Sequence, residues 1–222
     1  MNERAPSTGS RIEPVASARK ELPGVLLAAG EGRRFRGGGK LLELFRSVPL
    51  VRHALAALVA SRVDRVMVVT GCREREVRVA LGGWADHPRV ELVHNPDWAE
   101  GIATSRRVAI ERLPASATGA LFLPADMPLM TSALVDRVAL RFRETGRATF
   151  PLHEGEKGHP VALPRPLLSE LAALDGNESG LTVIATHWDA CVTLPLAPDE
   201  EHTQFDVDTI EDLRRLRAAE RS

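Results

Sequence analysis

The sequence contains no tyrosine, and six phenylalanines and three tryptophans are its only aromatic residues. So few rings argue against a base-stacking platform for single-stranded nucleic acid. Cysteine is equally scarce: Cys72 and Cys191 stand 119 positions apart, and neither lies in a Cys-x-x-Cys or Cys/His cluster. A structural zinc site needs several such ligands at close spacing, so none is expected. Free thiols in a reducing cytosol are the expected state. Charge of one sign is not in excess either, with 29 Lys+Arg against 30 Asp+Glu. That balance removes the counterion-release basis of a dedicated nucleic-acid binder. The longest apolar run, residues 54–60, falls far short of the roughly 18 residues that a membrane span requires. No apolar segment near the start resembles a secretory signal, so the expected compartment is cytoplasmic.

What is present is an ordinary globular composition, 44% hydrophobic and 27% charged over 222 residues. Residues 1–22 mix Pro, Ser, Gly and charges without periodicity and read as a disordered leader. Residues 23–222 read as one domain. Short β-branched or apolar runs at 25–28, 65–70, 90–94, 120–123, 148–152, 161–163 and 191–196 predict strands. Between them, apolar residues at helical spacing predict helices over 49–60, 73–81, 104–113, 131–144, 166–174, 181–187 and 209–219. The alternation predicts βαβ units. The expected fold is a single three-layer α/β/α domain with a mostly parallel, Rossmann-like sheet, whose ligand edge is the set of loops after the strands.

The first such loop is glycine-rich and runs Gly30-Glu31-Gly32-Arg33-Arg34-Phe35-Arg36-Gly37-Gly38-Gly39-Lys40. A dinucleotide fingerprint would use Gly30 and Gly32 but meets Phe35 at its third glycine. A Walker loop ending at Gly39-Lys40 fails because Arg34 stands where it needs glycine and Leu41 where it needs Ser or Thr. What remains is a set of glycines that lets backbone N–H groups approach an anion, with Arg33, Arg34, Arg36 and Lys40 to neutralise it. Lysine is rare in this chain, occurring only as Lys20, Lys40 and Lys157. A solvated basic loop is the plainer alternative, and polyphosphate binding is the reading carried forward.

Asp126 follows the 120–123 strand in Pro124-Ala125-Asp126-Met127-Pro128-Leu129, at the ligand edge, where a carboxylate could hold a metal. By itself it is also an ordinary turn aspartate. In Asp206-Val207-Asp208-Thr209-Ile210-Glu211-Asp212, either Asp208 or Thr209 can cap the last helix, which leaves Asp206 without a local role. Mg²⁺ takes one or two protein carboxylates and completes its shell with water and phosphate oxygens. Asp126 and Asp206 could supply such a pair.

These segments together resemble the MobA-like nucleotidyltransferases, and among them the molybdenum cofactor cytidylyltransferases. Leu27, Ala28, Ala29, Gly30, Gly32, Arg34 and Lys40 match the family's L-A-[AG]-G-x-[SG]-x-R-[MF]-G…K signature, with Arg36 as an extra residue. Ser47-Val48-Pro49-Leu50 stands where the family commonly has Gly-x-Pro-Leu. D-x-P-L at Asp126 and D-[IV]-D-T-x-E-D-L at Asp206 are further family motifs. The stretch from Asn95 to Ser105 resembles N-P-x-W-x-x-G-[MI]-x-x-S, and Gly158-His159-Pro160-Val161 resembles G-H-P-V, both of the cytidylyltransferase branch. One segment departs, because Gly176-Asn177-Glu178-Ser179-Gly180-Leu181 replaces that branch's G-D-x-G-A-R.

The resemblance implies the nucleotide-diphospho-sugar transferase type of fold and transfer of CMP from CTP to molybdopterin, with release of pyrophosphate. It implies nucleotide binding by Leu27, Ala28, Ala29, Gly30, Gly32, Arg34, Lys40 and Asp126. Catalytic roles would fall to Arg34, Lys40 and Asp126, and Mg²⁺ to Asp126 with Asp206 or Asp208. Gly101, Thr104, Ser105, Gly158 and His159 would contact the acceptor. A molybdenum hydroxylase or its chaperone would receive the product. GTP in place of CTP, another phosphorylated acceptor, or a non-catalytic binding protein on the same fold are the alternatives.

Overall fold

The computed structural model describes residues 20–35 and 38–219. Strand β1 (Gly24–Ala28) sits at the centre of the sheet because its side chains are apolar on both faces, as a doubly covered strand requires. A small hairpin follows, β2 (Leu44–Phe45) and β3 (Val48–Pro49), turned by Arg46 at φ 50° and Ser47 at φ 60°. Two consecutive left-handed residues are what a two-residue hairpin needs, and they explain why glycine suits position 47.

The chain continues through α1 (Leu50–Ala60), β4 (Val66–Thr70), α2 (Glu74–Leu81), β5 (Val90–His94), α3 (Ile102–Glu111) and β6 (Gly119–Pro124). Then come α4 (Ser132–Thr145), β7 (Thr149–His153), β8 (Glu156–Lys157), β9 (Val161–Pro164), α5 (Arg165–Ala172) and α6 (Leu181–Thr186). Strand β10 (Val192–Pro195) and helix α7 (Ile210–Ala219) complete it.

The main sheet has the order β10-β7-β9-β6-β1-β4-β5, with β8 paired on β7. Pairing is parallel from β6 through β1 and β4 to β5, and again between β10 and β7. β9 runs antiparallel between β6 and β7. The sheet is mostly parallel as expected; the reversal has a simple cause. Only the short β8 turn separates β7 from β9, too little chain for a crossover.

Alternate strand residues face opposite layers. Leu26, Ala28, Val66, Val68, Leu121 and Leu123 pack with α1, α2 and α4. Val25, Met67, Val69, Phe122 and Phe150 pack with α3, α5 and α6. Three layers result. A third cluster joins α7 to the glycine loop: Phe35, Phe45, Leu50, Val207, Leu213 and Leu216 bury one another. Phe35, which breaks the dinucleotide fingerprint, is thus the anchor that holds this loop to the domain.

Residues just before the expected boundary at 23 already pack on the sheet. Leu22 is fully buried, and Glu21 bridges to Ala117. A short segment docked on the sheet carries no periodic signal, which is why composition placed it in the leader. Residues 1–19 of that expected leader lie outside the described residues, as do Arg36 and Gly37. Among the described residues no helix is long and apolar enough to cross a membrane.

Candidate active site

Strand β1 has β4 on one side and β6 on the other, so the chain changes direction at β1/β6. The loops leaving these two strands open from adjacent C-terminal ends, where open α/β sheets bind ligands. The first is the glycine loop; the second carries Asp126. Ala125 N–H donates to Leu27 O at 3.1 Å and locks the two strand ends together.

The C-terminal segment reaches the same place by one backbone bond. Val207 N–H donates to Asp126 O at 2.9 Å, and the Val207 side chain is fully buried. Burial of the middle residue leaves its neighbours to turn the other way, and both Asp206 and Asp208 line the cleft beside Asp126. Thr209 and Asp212 form the helix cap: Asp212 Oδ2 accepts from Thr209 N at 2.8 Å, and Thr209 Oγ1 accepts from Asp212 N at 3.2 Å. Asp208 is therefore released from capping.

Lys40 joins these groups. Its Nζ donates to Asp126 Oδ2 at 2.6 Å and to Asp208 Oδ1 at 3.0 Å, while Arg34 Nη2 lies 2.8 Å from Asp208 Oδ2. Burial alone would lower the Lys40 pKa, but the two carboxylates outweigh it and hold it above the ordinary lysine value. Asp206 is pushed the opposite way to a paired acid. Partial desolvation, then the charges of Asp208 and Asp126, raise its carboxyl above the ordinary aspartate range.

Three neighbouring carboxylates, two of them converging on one cationic point, form a hard oxygen donor set of the kind that suits Mg²⁺ or Mn²⁺. Among the described residues no group of three His, Cys, Asp or Glu side chains is arranged to hold an ion unaided. Asp126, Asp206 and Asp208, which line one cleft, are the residues that could hold such an ion, whose shell water and substrate oxygens would complete.

Two pockets meet at this point. The first, about 470 Å³, is walled by Leu27, Ala29, Gly30, Gly32 and Lys40 on one side and by Trp98, Gly101, Ser105 and Asn177 on the other. The second, about 560 Å³, is bounded by Lys157, Gly158, His159, Gln204 and Asp206. Arg34, Ile102, Pro124, Asp126 and Asp208 belong to both.

Most residues singled out from sequence gather here, but two do not line either pocket. Ala28 packs in the core beneath α1. Thr104 is buried, and its Oγ1 lies 2.8 Å from Gly101 O and 3.0 Å from Asp97 O, while accepting from Asn95 Nδ2 at 2.8 Å. Its hydroxyl holds the Asn95–Gly101 turn. Asn95 Nδ2 also donates to Ser105 Oγ at 2.9 Å. Gly101, at φ 124°, is the contact point with the departing segment, since a Cβ there would stand 2.2 Å from Gly176 O. That contact brings Asn177 to the wall of the first pocket.

The second pocket holds residues that sequence reasoning missed. Gln204 clamps the His159 backbone, accepting from His159 N at 2.7 Å and donating to His159 O at 2.8 Å. A Cβ on Gly158 would lie 2.5 Å from Gln204 Oε1, so the glycine of Gly158-His159-Pro160 admits this clamp. No local pattern marks Gln204. Lys157, one of three lysines and adjacent to that motif, carried a usable signal. Burial, then the Arg106 charge, lower its pKa to about 8. Burial, then Lys157 and Arg106, push His159 well below the ordinary histidine value and keep it neutral.

Comparison with known proteins finds relatives of this chain. Residues 24–191 match the family model described as the MobA-like NTP transferase domain. The chain is 35% identical over 108 residues to the molybdenum cofactor cytidylyltransferase of Escherichia coli K12, a match covering 48% of this chain and 52% of that protein. The chain thus spans about half the length of that relative. It is 28% identical over 202 residues to the nicotine blue oxidoreductase of Paenarthrobacter nicotinovorans, covering 88% of this chain and 96% of the other. The crystal structure of Rv0371c from Mycobacterium tuberculosis H37Rv superposes with a TM-score of 0.74 at 26% identity, covering 90% and 98% of the two chains. A manganese complex of Rv0371c superposes at 0.70 and 24% identity, covering 90% and 99%.

Proposed function

The chain belongs to the MobA-like NTP transferase family, and from that premise we propose that it transfers CMP from CTP to a molybdopterin-type phosphate acceptor. The observation that carries the reading is the Lys40 bridge to Asp126 and Asp208 at the junction of two pockets. A two-substrate transfer needs its charge-neutralising groups where the substrates meet.

In this reading the first pocket takes the nucleotide and the second the acceptor. A phosphate oxygen of the acceptor attacks the α-phosphorus, the bond to the bridging oxygen of the β-phosphate breaks, and pyrophosphate leaves. The nucleophile is already anionic, so no general base is required; the obstacle is repulsion between phosphates. Amides of residues 30–32 cradle the triphosphate, and Lys40 and Arg34 exchange their carboxylate contacts for its oxygens. Asp126 and Asp208, with Asp206 beside them, would hold a divalent cation, Mg²⁺ or Mn²⁺, which supplies further neutralisation of phosphate charge. Gly101 and Ser105, expected from sequence to contact the acceptor, line the first pocket with Asn177 and in this reading face the nucleotide, while Gly158 and His159 line the second and face the acceptor. The product would pass to a molybdenum hydroxylase or its chaperone.

The test is pyrophosphate release with Mg²⁺ or Mn²⁺ and molybdopterin-bearing acceptor, with CTP, GTP, ATP and UTP in parallel. Release with CTP alone is expected. Release with GTP alone would reassign the base, and silence with all four would sink the reaction for this acceptor.

The near full-length likeness to a protein named an oxidoreductase supports a second reading, in which the same cleft takes a redox cofactor. Pyrophosphate release in the test above separates the two, because a redox activity yields none.

A further inference from the structure

Adjoining the second pocket, with Lys157 and His159 in common, lies a smaller cavity of about 160 Å³ lined by Leu27, Phe122, Val161, Leu163, Leu171 and Ile184. Two cations line it as well: Arg106, from α3, and Lys157, from β8. Arg106 donates to Glu178 O at 2.9 Å; Lys157 Nζ lies 3.3 Å from Gly158 O and 3.3 Å from His159 Nε2. Among the described residues neither cation has a carboxylate partner.

Solvated surface cations would turn outward, yet Lys157 turns in toward a neutral imidazole. With Nε2 facing the ammonium as acceptor, the ring proton belongs on His159 Nδ1, and that atom is buried with no hydrogen-bond partner. Two like charges beside one apolar cavity cost free energy that an arriving anion recovers.

We propose that Lys157 and Arg106 form a dianion subsite for a phosphomonoester whose flat, apolar body lies in this cavity. The proposal rests on the reading that the second pocket takes the acceptor. Lys157 borders both spaces, so a phosphate held on it shares the second pocket with Asp126. The cavity lining sets the other requirement, since it offers apolar surface and no carboxylate to a ring.

Calorimetric titration of the full chain with phenyl phosphate, inorganic phosphate and phenol tests this, with CTP titrated separately. Phenyl phosphate should bind about tenfold tighter than inorganic phosphate, and phenol not measurably. Lys157→Met and Arg106→Met should each weaken phenyl phosphate by roughly tenfold or more, as loss of a charged hydrogen bond does, with CTP affinity within about twofold. Lys157→Arg should keep most of the affinity, a rescue that a purely structural role does not predict. Equal binding by the Met variants, no preference over inorganic phosphate, or no saturable binding by the wild type would each overturn the subsite. Failure of CTP to bind while phenyl phosphate binds as expected would instead remove the nucleotide reading and leave the subsite standing.

Discussion

The ammonium of Lys40 bridges Asp126 at 2.6 Å and Asp208 at 3.0 Å, so one cation from the glycine loop joins two carboxylates from distant parts of the chain. Lys40→Ala leaves those carboxylates facing each other and removes a contact to the triphosphate. Pyrophosphate release should fall by ~10²–10³, while circular dichroism still shows a folded domain. Asp126→Asn should cost a similar factor and also abolish stabilisation of the protein by Mn²⁺ in a thermal melt. Normal turnover by either folded variant would remove that residue from the reaction.

Ser47 sits at φ 60° in the hairpin between β2 and β3. Left-handed backbone costs a non-glycine residue roughly 1–2 kcal/mol, and glycine returns part of that as greater freedom in the unfolded chain. Ser47→Gly should therefore stabilise the domain by about 0.5–1 kcal/mol in urea unfolding. A destabilised variant would mean that the serine side chain makes an interaction worth more than the strain.

Thr104 and Ser105 are adjacent, and the structure separates their roles. Thr104→Val strips a buried hydroxyl from Asn95, Asp97 and Gly101 and should cost about 1–2 kcal/mol of stability. Its effect on the KM for acceptor should be small. Ser105→Ala, at the wall of the first pocket, should alter nucleotide KM more than stability. The reverse pattern would return Thr104 to the acceptor site.

Gly101→Ala places a methyl group 2.2 Å from Gly176 O at φ 124°, and the neighbour is backbone that cannot swing away. The expected loss is about 2–4 kcal/mol, accompanied by weaker nucleotide binding as Asn177 is displaced. Unchanged nucleotide affinity in a folded variant would show that the contact does not shape the pocket.

Lys157 has a folded-state pKa of about 8 against the ordinary 10.5. Below pH 8 folded and unfolded chains both hold the proton, and the folded state bears a desolvated charge. Between pH 8 and 10.5 the unfolded chain binds more protons, so stability rises with pH across that window. Lys157→Met should be more stable than the wild type at pH 7 by about 1–2 kcal/mol, allowing for water access, and this advantage should vanish by about pH 10.5. The charged and titratable groups that line the same two pockets are Arg34, Arg106, Asp126, His153, Glu154, Glu156, His159, Asp206 and Asp208, so the wild type and variant must be compared over the same pH series. A difference that does not change with pH would contradict the shift.

Among the described residues, all seven α-helices and seven of the ten strands were legible because each buries an apolar stripe whose period of two or 3.6 is written locally, whereas β2, β3 and β8, two residues each, are too short to carry a period. The Rossmann-like alternation and the glycine loop with Lys40 followed from order and residue chemistry, whereas Asp126, by itself an ordinary turn aspartate, stood out only through the family resemblance. Thr104 lines neither pocket and bonds within its own turn, and sequence could not show this because a serine or threonine after a turn looks the same whether its hydroxyl faces a ligand or a backbone carbonyl. Gln204 left no trace, since its partners are backbone atoms of a loop 45 positions earlier in the chain.

By itself, then, the sequence determined the layered α/β fold, the family and the loops that carry charge, because those depend on local period and on residue types at fixed spacing. Only the tertiary structure decided which aspartate is free of the helix cap, that one lysine unites Asp126 with Asp208, and that Lys157 and Arg106 share an apolar cavity. These are relations between segments brought together by β1/β6 adjacency and by the burial of Val207. Coulomb energy and desolvation depend on separation in space, which no local pattern encodes.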